Sequence, residues 1–339
     1  MYAEISRDRK SPGLFGEIRF HPHKRLKRFL SPAFTVGYVD NLELVFQGVM
    51  RDLLEQYKKR LMKHPIAEQA IETDLMDDLH KAALDIMGES AFSRGFGQVN
   101  PKSSSGDTYM DEIWRSIPRA IFDGLADRYK YVYVKRVLRS IGLNVNFDWP
   151  KQMTTAIDSI MKQRTGGKES SSPDLLQYLV ENGRRPDTEE TMSSRDVLDQ
   201  MSEILLAGSE TTSGTIACLF LELARNPRVR SKLLASLPPK DPHDLGDIVV
   251  SKAVRSSPEY QYLEACIKEN LRLHPIASEM GRRTGDQWIN LMGYDLPPHT
   301  VVSASYRDLH RDERYWPEPL SFIPERWLPD DQRGDISAA

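Results

Sequence analysis

The sequence predicts a mostly α-helical fold with a small β element. Apolar residues recur three or four positions apart in long stretches, as on one face of a helix. Strand-like alternation occurs only late, at residues 287–291 and 300–306, which flank the turn-prone segment GYDLPPH. Neither an internal repeat nor a convincing domain boundary interrupts the 339 residues, so we expect a single domain over residues 1–339.

The helical elements follow from the apolar spacing and from punctuating residues. The spacing predicts helices over residues 38–61, 73–92, 111–143 (two helices, broken near Pro118 or Gly124), 151–163, 173–182, about 193–225 and 262–274. Segments rich in Pro, Gly, Ser or charge predict surface loops at residues 100–108, 164–173 and 238–246.

The composition excludes several classes of protein. The net charge of −3 argues against a nucleic-acid-binding protein, and the basic segment HKRLKR at residues 23–28 is isolated. Two cysteines exclude a disulfide framework and suit a reducing compartment. We find no apolar run approaching the ~18 residues of a membrane span and no signal-peptide core. On this basis the chain is expected to be soluble and intracellular.

The longest predicted helix has a weak centre. The stretch LLAGSETTSGTIACLF, residues 205–220, holds two glycines, three threonines and two serines. Relative to alanine these residues cost roughly 4–5 kcal/mol of helix propensity, so stability alone does not select them. One interpretation is a groove for a small molecule beside Gly208, with Glu210 and Thr211 as a proton-delivery pair. The other is a close helix crossing that needs small residues.

A second informative stretch is YLEACIKENLRLHP, residues 262–275, where Leu263, Ile267 and Leu271 recur every four positions. Glu269 and Arg272 lie three residues apart, within salt-bridge reach. A solvated surface pair is the default for such residues. If Arg326 of the later segment FIPERW closes on them, the three form a buried charge cluster, and breaking it would cost about 3–5 kcal/mol.

Three motifs in this order, AGSETT, ENLR and PERW, resemble the signature of the cytochrome P450 family of haem-thiolate monooxygenases. The resemblance extends over nearly the whole chain and implies a cytochrome P450-like fold. It also implies haem b as cofactor, held in the family by a cysteine thiolate. The implied activity is insertion of one oxygen atom from O₂ into an apolar small molecule, with electrons from NADPH-cytochrome P450 reductase.

The resemblance also implies roles for individual residues. In the oxygen-binding helix, Gly208 would make room for O₂, Thr211 would hydrogen-bond the oxygen and Glu210 would link to a proton path. The segment HKRLKRFLSPAF resembles the haem-flanking helix, which carries propionate binding to His23 and Lys27; a solvated basic face is the alternative. GRRTGD resembles the strand whose arginine binds the other propionate, and Arg282 is preferred narrowly to Arg283. The structural charge cluster would consist of Glu269, Arg272 and Arg326.

The sequence departs from the family pattern at both ends. The family's thiolate comes from a Cys-containing loop downstream of PERW, whereas this sequence ends LPDDQRGDISAA. Cys218 and Cys266 are expected to be small core residues, which leaves no metal ligand in the chain. Family members usually sit on the endoplasmic reticulum membrane, but no anchor region is recognised here. We therefore expect an incomplete fold, truncated at both ends.

Two hypotheses of function follow from this departure. In the first, the chain derives from a working monooxygenase, acting on a terpenoid- or polyketide-like substrate in secondary metabolism. In the second, the chain is a catalytically inactive fragment without the axial cysteine, at best a binding protein.

Overall fold

The computed structural model describes residues 12–63, 70–93, 95–100, 132–143, 155, 158–159, 161–162, 174–239 and 251–330. The chain divides into two compact units, Met1–Glu210 and Thr211–Ala339, and the boundary falls inside the longest helix. Helices dominate and strands are few and short, which confirms the predicted fold class.

The first unit is helical. Its described helices are α1 (Phe20–Leu30), α2 (Val36–Asn41), α3 (Glu43–Met62), α4 (Leu75–Phe92), α5 (Val132–Ser140), α6 (Leu175–Asn182) and the first half of α7 (Ser194–Arg225). The single helix predicted over residues 38–61 is divided at Leu42, which separates α2 from α3. Most residues of the loops predicted at 100–108, 164–173 and 238–246 lie outside the described residues, as do most residues of the helices predicted within 111–143 and 151–163.

The core of the first unit gathers apolar side chains from several helices. Contributions come from α1, α4, α6 and the first half of α7. On α7 the buried core positions are Val197, Leu198, Met201, Ile204 and Leu205. Because these residues recur three or four positions apart, they form one continuous stripe that anchors the first half of the helix.

The second unit combines helices with two small sheets. Beyond the rest of α7 it holds α8 (Pro227–Ser236), α9 (Ser251–Ser256), α10 (Gln261–Leu273), β1 (Glu279–Arg283), β2 (Ile289–Leu291), β3 (Tyr294–Leu296), β4 (Val301–Ser305) and α11 (Tyr306–Leu309). Strand β1 pairs with β4 and β2 pairs with β3, both antiparallel. The β2–β3 turn contains Gly293 at φ 89°, a conformation that glycine adopts without steric cost. The late strands predicted at 287–291 and 300–306 are thus confirmed, with shorter bounds.

Helix α7 corrects one sequence-based expectation. Within the described ranges it is the one helix long and apolar enough to cross a membrane, with a mean hydropathy of 1.4 over its best window and 28% of that window buried. The expectation that no apolar run approaches this length was wrong. Gly, Ser and Thr interrupt the apolar side chains of this helix, but they add no charge, and the mean hydropathy of the window still reaches 1.4. Core helices satisfy the same test, and the first half of α7 carries core residues of its unit.

Candidate functional site

The start of α7 is held by a reciprocal cap. The Ser193 hydroxyl accepts a hydrogen bond from the Asp196 amide at 3.3 Å, and the Asp196 carboxylate accepts one from the Ser193 amide at 2.8 Å. Two otherwise unpaired backbone donors of the first turn are satisfied in this way. The Arg185 guanidinium also donates to Asp196, at 2.8 Å. The helix that carries the AGSETT motif therefore begins at a well-defined residue.

The hydroxyl-rich centre of α7 partly satisfies itself. Ser209 Oγ donates to the carbonyl of Leu205 at 2.9 Å, and Thr215 Oγ1 donates to the carbonyl of Thr211 at 2.8 Å. Such bonds to the carbonyl four residues back are typical of Ser and Thr inside helices. The side chain of Thr211 itself is exposed. Thr211 is thus a hydroxyl-bearing residue at the surface of the helix.

Gly208 of α7 lies against the side chain of Met87 on α4. A Cβ atom at this position would lie 2.5 Å from Sδ and 3.0 Å from Cγ of Met87 on α4. The methionine thioether therefore occupies the space that the missing side chain leaves. Of the two interpretations that the sequence left open for Gly208, this contact favours a close helix crossing.

Glu210 has a partner on the same neighbouring helix. Its Oε2 atom lies 3.1 Å from Nε2 of His80 on α4, and the side chains are 24% and 3% exposed respectively. Sequence reasoning missed His80. The available signal was its spacing, because His80, Leu84 and Met87 recur at the four- and three-residue intervals of one helix face.

The Glu-x-x-Arg motif of α10 forms the centre of a buried cluster. The two oxygens of Glu269, a residue with no solvent exposure, accept hydrogen bonds from Arg272 at 2.7 and 2.9 Å. They also accept from the Ile323 amide at 3.0 Å, Arg326 Nε at 3.3 Å and Trp327 Nε1 at 2.9 Å. The structure therefore brings Glu269, Arg272 and Arg326 together, with one carboxylate between two guanidinium groups.

Arg272 ties α10 to the chain that follows α11. Its Nη1 atom donates to the carbonyls of His310 and Pro319 at 2.6 and 2.7 Å, and its Nη2 atom donates to the carbonyl of Ser321 at 3.1 Å. The guanidinium also lies over the ring of Trp316, 5.2 Å from its centroid. The buried guanidinium thus donates two hydrogen bonds to the nearby Glu269 carboxylate. It donates three more to backbone carbonyls that lie 38 to 49 positions further along the chain.

The buried face of α10 is not the one that its apolar spacing indicates. Ile267 and Leu271 are exposed, whereas the buried positions are Tyr262, Ala265, Cys266, Glu269, Asn270, Arg272 and Leu273. The periodicity predicted the helix but not its orientation, because the charged pair is neutralised and hydrogen-bonded by a segment far along the chain.

The residues assigned to the haem propionates lie in different units. His23 and Lys27 are one helical turn apart on α1, where His23 is half-buried and Lys27 is exposed. Arg282 is exposed on β1, and its Nη1 atom donates to the carbonyl of Gly281 at 3.2 Å. Each position presents a nitrogen-bearing side chain of the kind that binds a carboxylate.

Neither cysteine suits an axial thiolate. Cys266 on α10 is fully buried in the core of the second unit, and burial raises the pKa of its thiol to about 12. Burial also raises the pKa of Cys218, which lies on α7 itself. Both thiols lie on helices, and Cys218 is on the helix that the resemblance assigns to the distal side. In the described ranges no three His, Cys, Asp or Glu side chains are grouped to hold a metal ion. Each unit therefore supplies side chains that can bind a carboxylate, but the described residues include no cysteine in a loop that could supply an axial thiolate.

Comparisons with known proteins agree with these motifs. The cytochrome P450 family model matches residues 6–338. Similar curated proteins include cytochrome P450 3A56 of Fundulus heteroclitus, 26% identical over 318 residues that cover 90% of this chain and 59% of that protein. Another is cytochrome P450 monooxygenase FUS8 of Gibberella fujikuroi, 27% identical, covering 97% of this chain and 60% of that protein.

The fold comparison points the same way. The crystal structure of a cytochrome P450, CYP102L1, is similar with a TM-score of 0.71 at 19% identity, covering 97% of this chain and 67% of that one. The chain thus spans about three fifths of the length of the curated relatives named above. Because the family model extends over almost all of its residues, the chain belongs to the cytochrome P450 family.

Proposed function

We propose that this protein acts as a haem-thiolate monooxygenase that inserts one atom of O₂ into an apolar small molecule. The observation that carries the proposal is the buried cluster of Glu269, Arg272 and Arg326, built from two of the three signature motifs. A buried charge cluster is costly to maintain and is not needed to build a helical fold. Its presence supports retention of the family's architecture around the proximal side of a haem.

Bound haem would supply the activation of O₂ that side chains cannot provide. In this proposal the exposed hydroxyl of Thr211 on α7 donates a hydrogen bond at the distal face, and Glu210 connects it to solvent protons. His23, Lys27 and Arg282 bind the haem propionates. The charge cluster serves a structural role. Gly208 contributes through the close approach of α4 rather than through open space.

Replacing Thr211 by alanine should uncouple electron consumption from product formation. Without the hydroxyl, protons are no longer delivered in a controlled way, and product formed per NADPH should fall by up to about 10²-fold. The measurement is the ratio of NADPH consumed to product formed in a haem-loaded version of the enzyme that includes the family's cysteine loop. Thr212→Ala is the matched control, because Thr212 is also exposed on α7 but one position further around the helix. Unchanged coupling in Thr211→Ala would contradict the assigned role.

The 339-residue chain by itself should not give the ferrous–CO Soret band of a thiolate-ligated haem. Cys266 is buried in the core of the second unit, and Cys218 lies on α7, the helix assigned to the distal side. The measurement is the reduced CO difference spectrum after reconstitution with haem, with Cys218→Ser and Cys266→Ser as controls. A thiolate-type band that disappears in one of these variants would show that the cysteine assignment is wrong.

Electron donor, location and substrate complete the proposal. We propose NADPH-cytochrome P450 reductase as partner, the endoplasmic reticulum membrane as location and a terpenoid- or polyketide-like compound of secondary metabolism as substrate. The support is family membership and the similarity to a fungal monooxygenase, FUS8 of Gibberella fujikuroi. Comparing the metabolites of a deletion strain with those of its parent tests the substrate class. An unchanged metabolite profile would favour the alternative, an inactive fragment, over the active enzyme.

A further inference from the structure

A buried histidine, to which the proposed function gives no role, faces the acid of the AGSETT motif. His80 lies inside α4 with 3% of its side chain exposed, and its Nε2 atom is 3.1 Å from Oε2 of Glu210. The next residue, Lys81, instead pairs with Asp77 along the outer side of the same helix. His80 is therefore a buried polar residue of α4 whose ring contacts α7.

A second contact between the same two helices accompanies this one. Gly208 has no Cβ, and Met87 of α4 fills the space beside it. His80 and Met87 are seven residues apart, two turns along α4, so they share one face of that helix. The face of α4 that carries His80 therefore packs against the centre of α7.

The two polar residues at the centre of α7 have different surroundings. Consecutive residues on a helix point about 100° apart. Thr211 is exposed, whereas the adjacent Glu210 is turned towards α4 and contacts His80. The position of the Glu210 carboxylate is therefore set by α4.

We propose that His80 is a positioning residue for Glu210, holding its carboxylate at the edge of α7 so that protons reach the distal site through this acid. The inference rests on the proposed monooxygenase function. His80 is almost fully buried and has little access to solvent, whereas the side chain of Glu210 is 24% exposed. In this proposal the imidazole of His80 positions the carboxylate of Glu210, and this carboxylate transfers the proton. As imidazolium or as neutral ring, histidine can offer an N–H to a carboxylate oxygen.

The first experiment tests for the contact between His80 and Glu210 by NMR, in the full chain without haem. Histidine is labelled with ¹⁵N, and the ring resonances are compared between the native protein and Glu210→Gln. We expect the His80 resonances to shift and those of His274 to stay in place. His274 is the matched control because it pairs with a different carboxylate, Glu222, at 2.9 Å. Glu222→Gln should produce the reverse pattern. Unchanged His80 resonances in Glu210→Gln would overturn the proposal.

The second experiment measures how much product the haem-loaded enzyme forms per NADPH. His80→Leu removes the partner of Glu210, and we expect product formed per NADPH to fall about tenfold while the KM for substrate is unchanged. His80→Gln keeps an N–H near Glu210 and should restore coupling to within about twofold. A purely structural role would instead lower expression and stability in both variants without this difference in coupling.

Thr211→Ala and Glu210→Gln distinguish the positioning role of His80 from the proton-delivery role of α7. If both uncouple the enzyme and His80→Leu does not, the positioning role is wrong and the proposed function stands. If none of the three uncouples it, the proton-delivery role of α7 is wrong, and the role of His80 falls with it.

Discussion

Replacing Glu269 by glutamine is expected to lower the free energy of unfolding by about 3–5 kcal/mol. The change keeps the size of the side chain but removes the charge that lies between Arg272 and Arg326. Each of the two carboxylate oxygens accepts hydrogen bonds in the native protein. Glutamine would place an amide donor against groups that are themselves donors, and two buried guanidinium groups would lose their counter-charge.

The measurement is equilibrium unfolding by denaturant, followed by circular dichroism. Glu264→Gln provides the control on the same helix, because Glu264 is exposed and pairs with Lys268 one turn away. Removing an exposed pair should change stability by less than about 1 kcal/mol. If the two variants lose similar amounts of stability, the cluster does not carry the structural role assigned to it.

Truncating Leu205 to alanine should cost about 2–5 kcal/mol. Leu205 has no solvent exposure and lies in the core that anchors the first half of α7. Its removal takes away buried apolar surface and leaves a cavity, because a packed interior relaxes only in part. The variant should retain its helical circular dichroism at low temperature and should unfold at a lower denaturant concentration.

Leu221→Ala makes the same chemical change further along α7, at a side chain that is 45% exposed. A truncation at such a position typically changes stability by no more than about 0.5 kcal/mol. The comparison separates burial from helix propensity, since both residues lie in one helix and both become alanine. Equal losses at the two positions would refute the core assignment of Leu205.

The sequence predicted most of the secondary structure that the described residues show. Apolar spacing located α4 and α10, and the residues RNP correctly marked the end of α7 at Arg225. The bounds failed where a local interruption carries little sequence signal, as at Leu42 between α2 and α3. The membrane-span expectation failed because the Gly, Ser and Thr residues of α7 interrupt its apolar side chains but leave the mean hydropathy at 1.4.

The candidate site was predictable only through its motifs. Their order indicated that Glu269 and Arg326 meet, although 57 positions separate them along the chain. His80 and the contact of Met87 with Gly208 were not predicted, because neither residue lies in a motif and both act through the neighbouring helix. Their contacts with α7 depend on how two helices cross, which a single sequence does not specify.

The sequence by itself determined the helical framework and the family of this protein, because apolar periodicity and short ordered motifs are local properties of the chain. Tertiary structure decided which polar groups are buried. On α10 the exposed side includes Ile267 and Leu271, and the buried side includes Glu269 and Arg272. The physical reason is that a charge can leave water only when partners compensate it. Here those partners come from residues 310–327, far from α10 in the sequence.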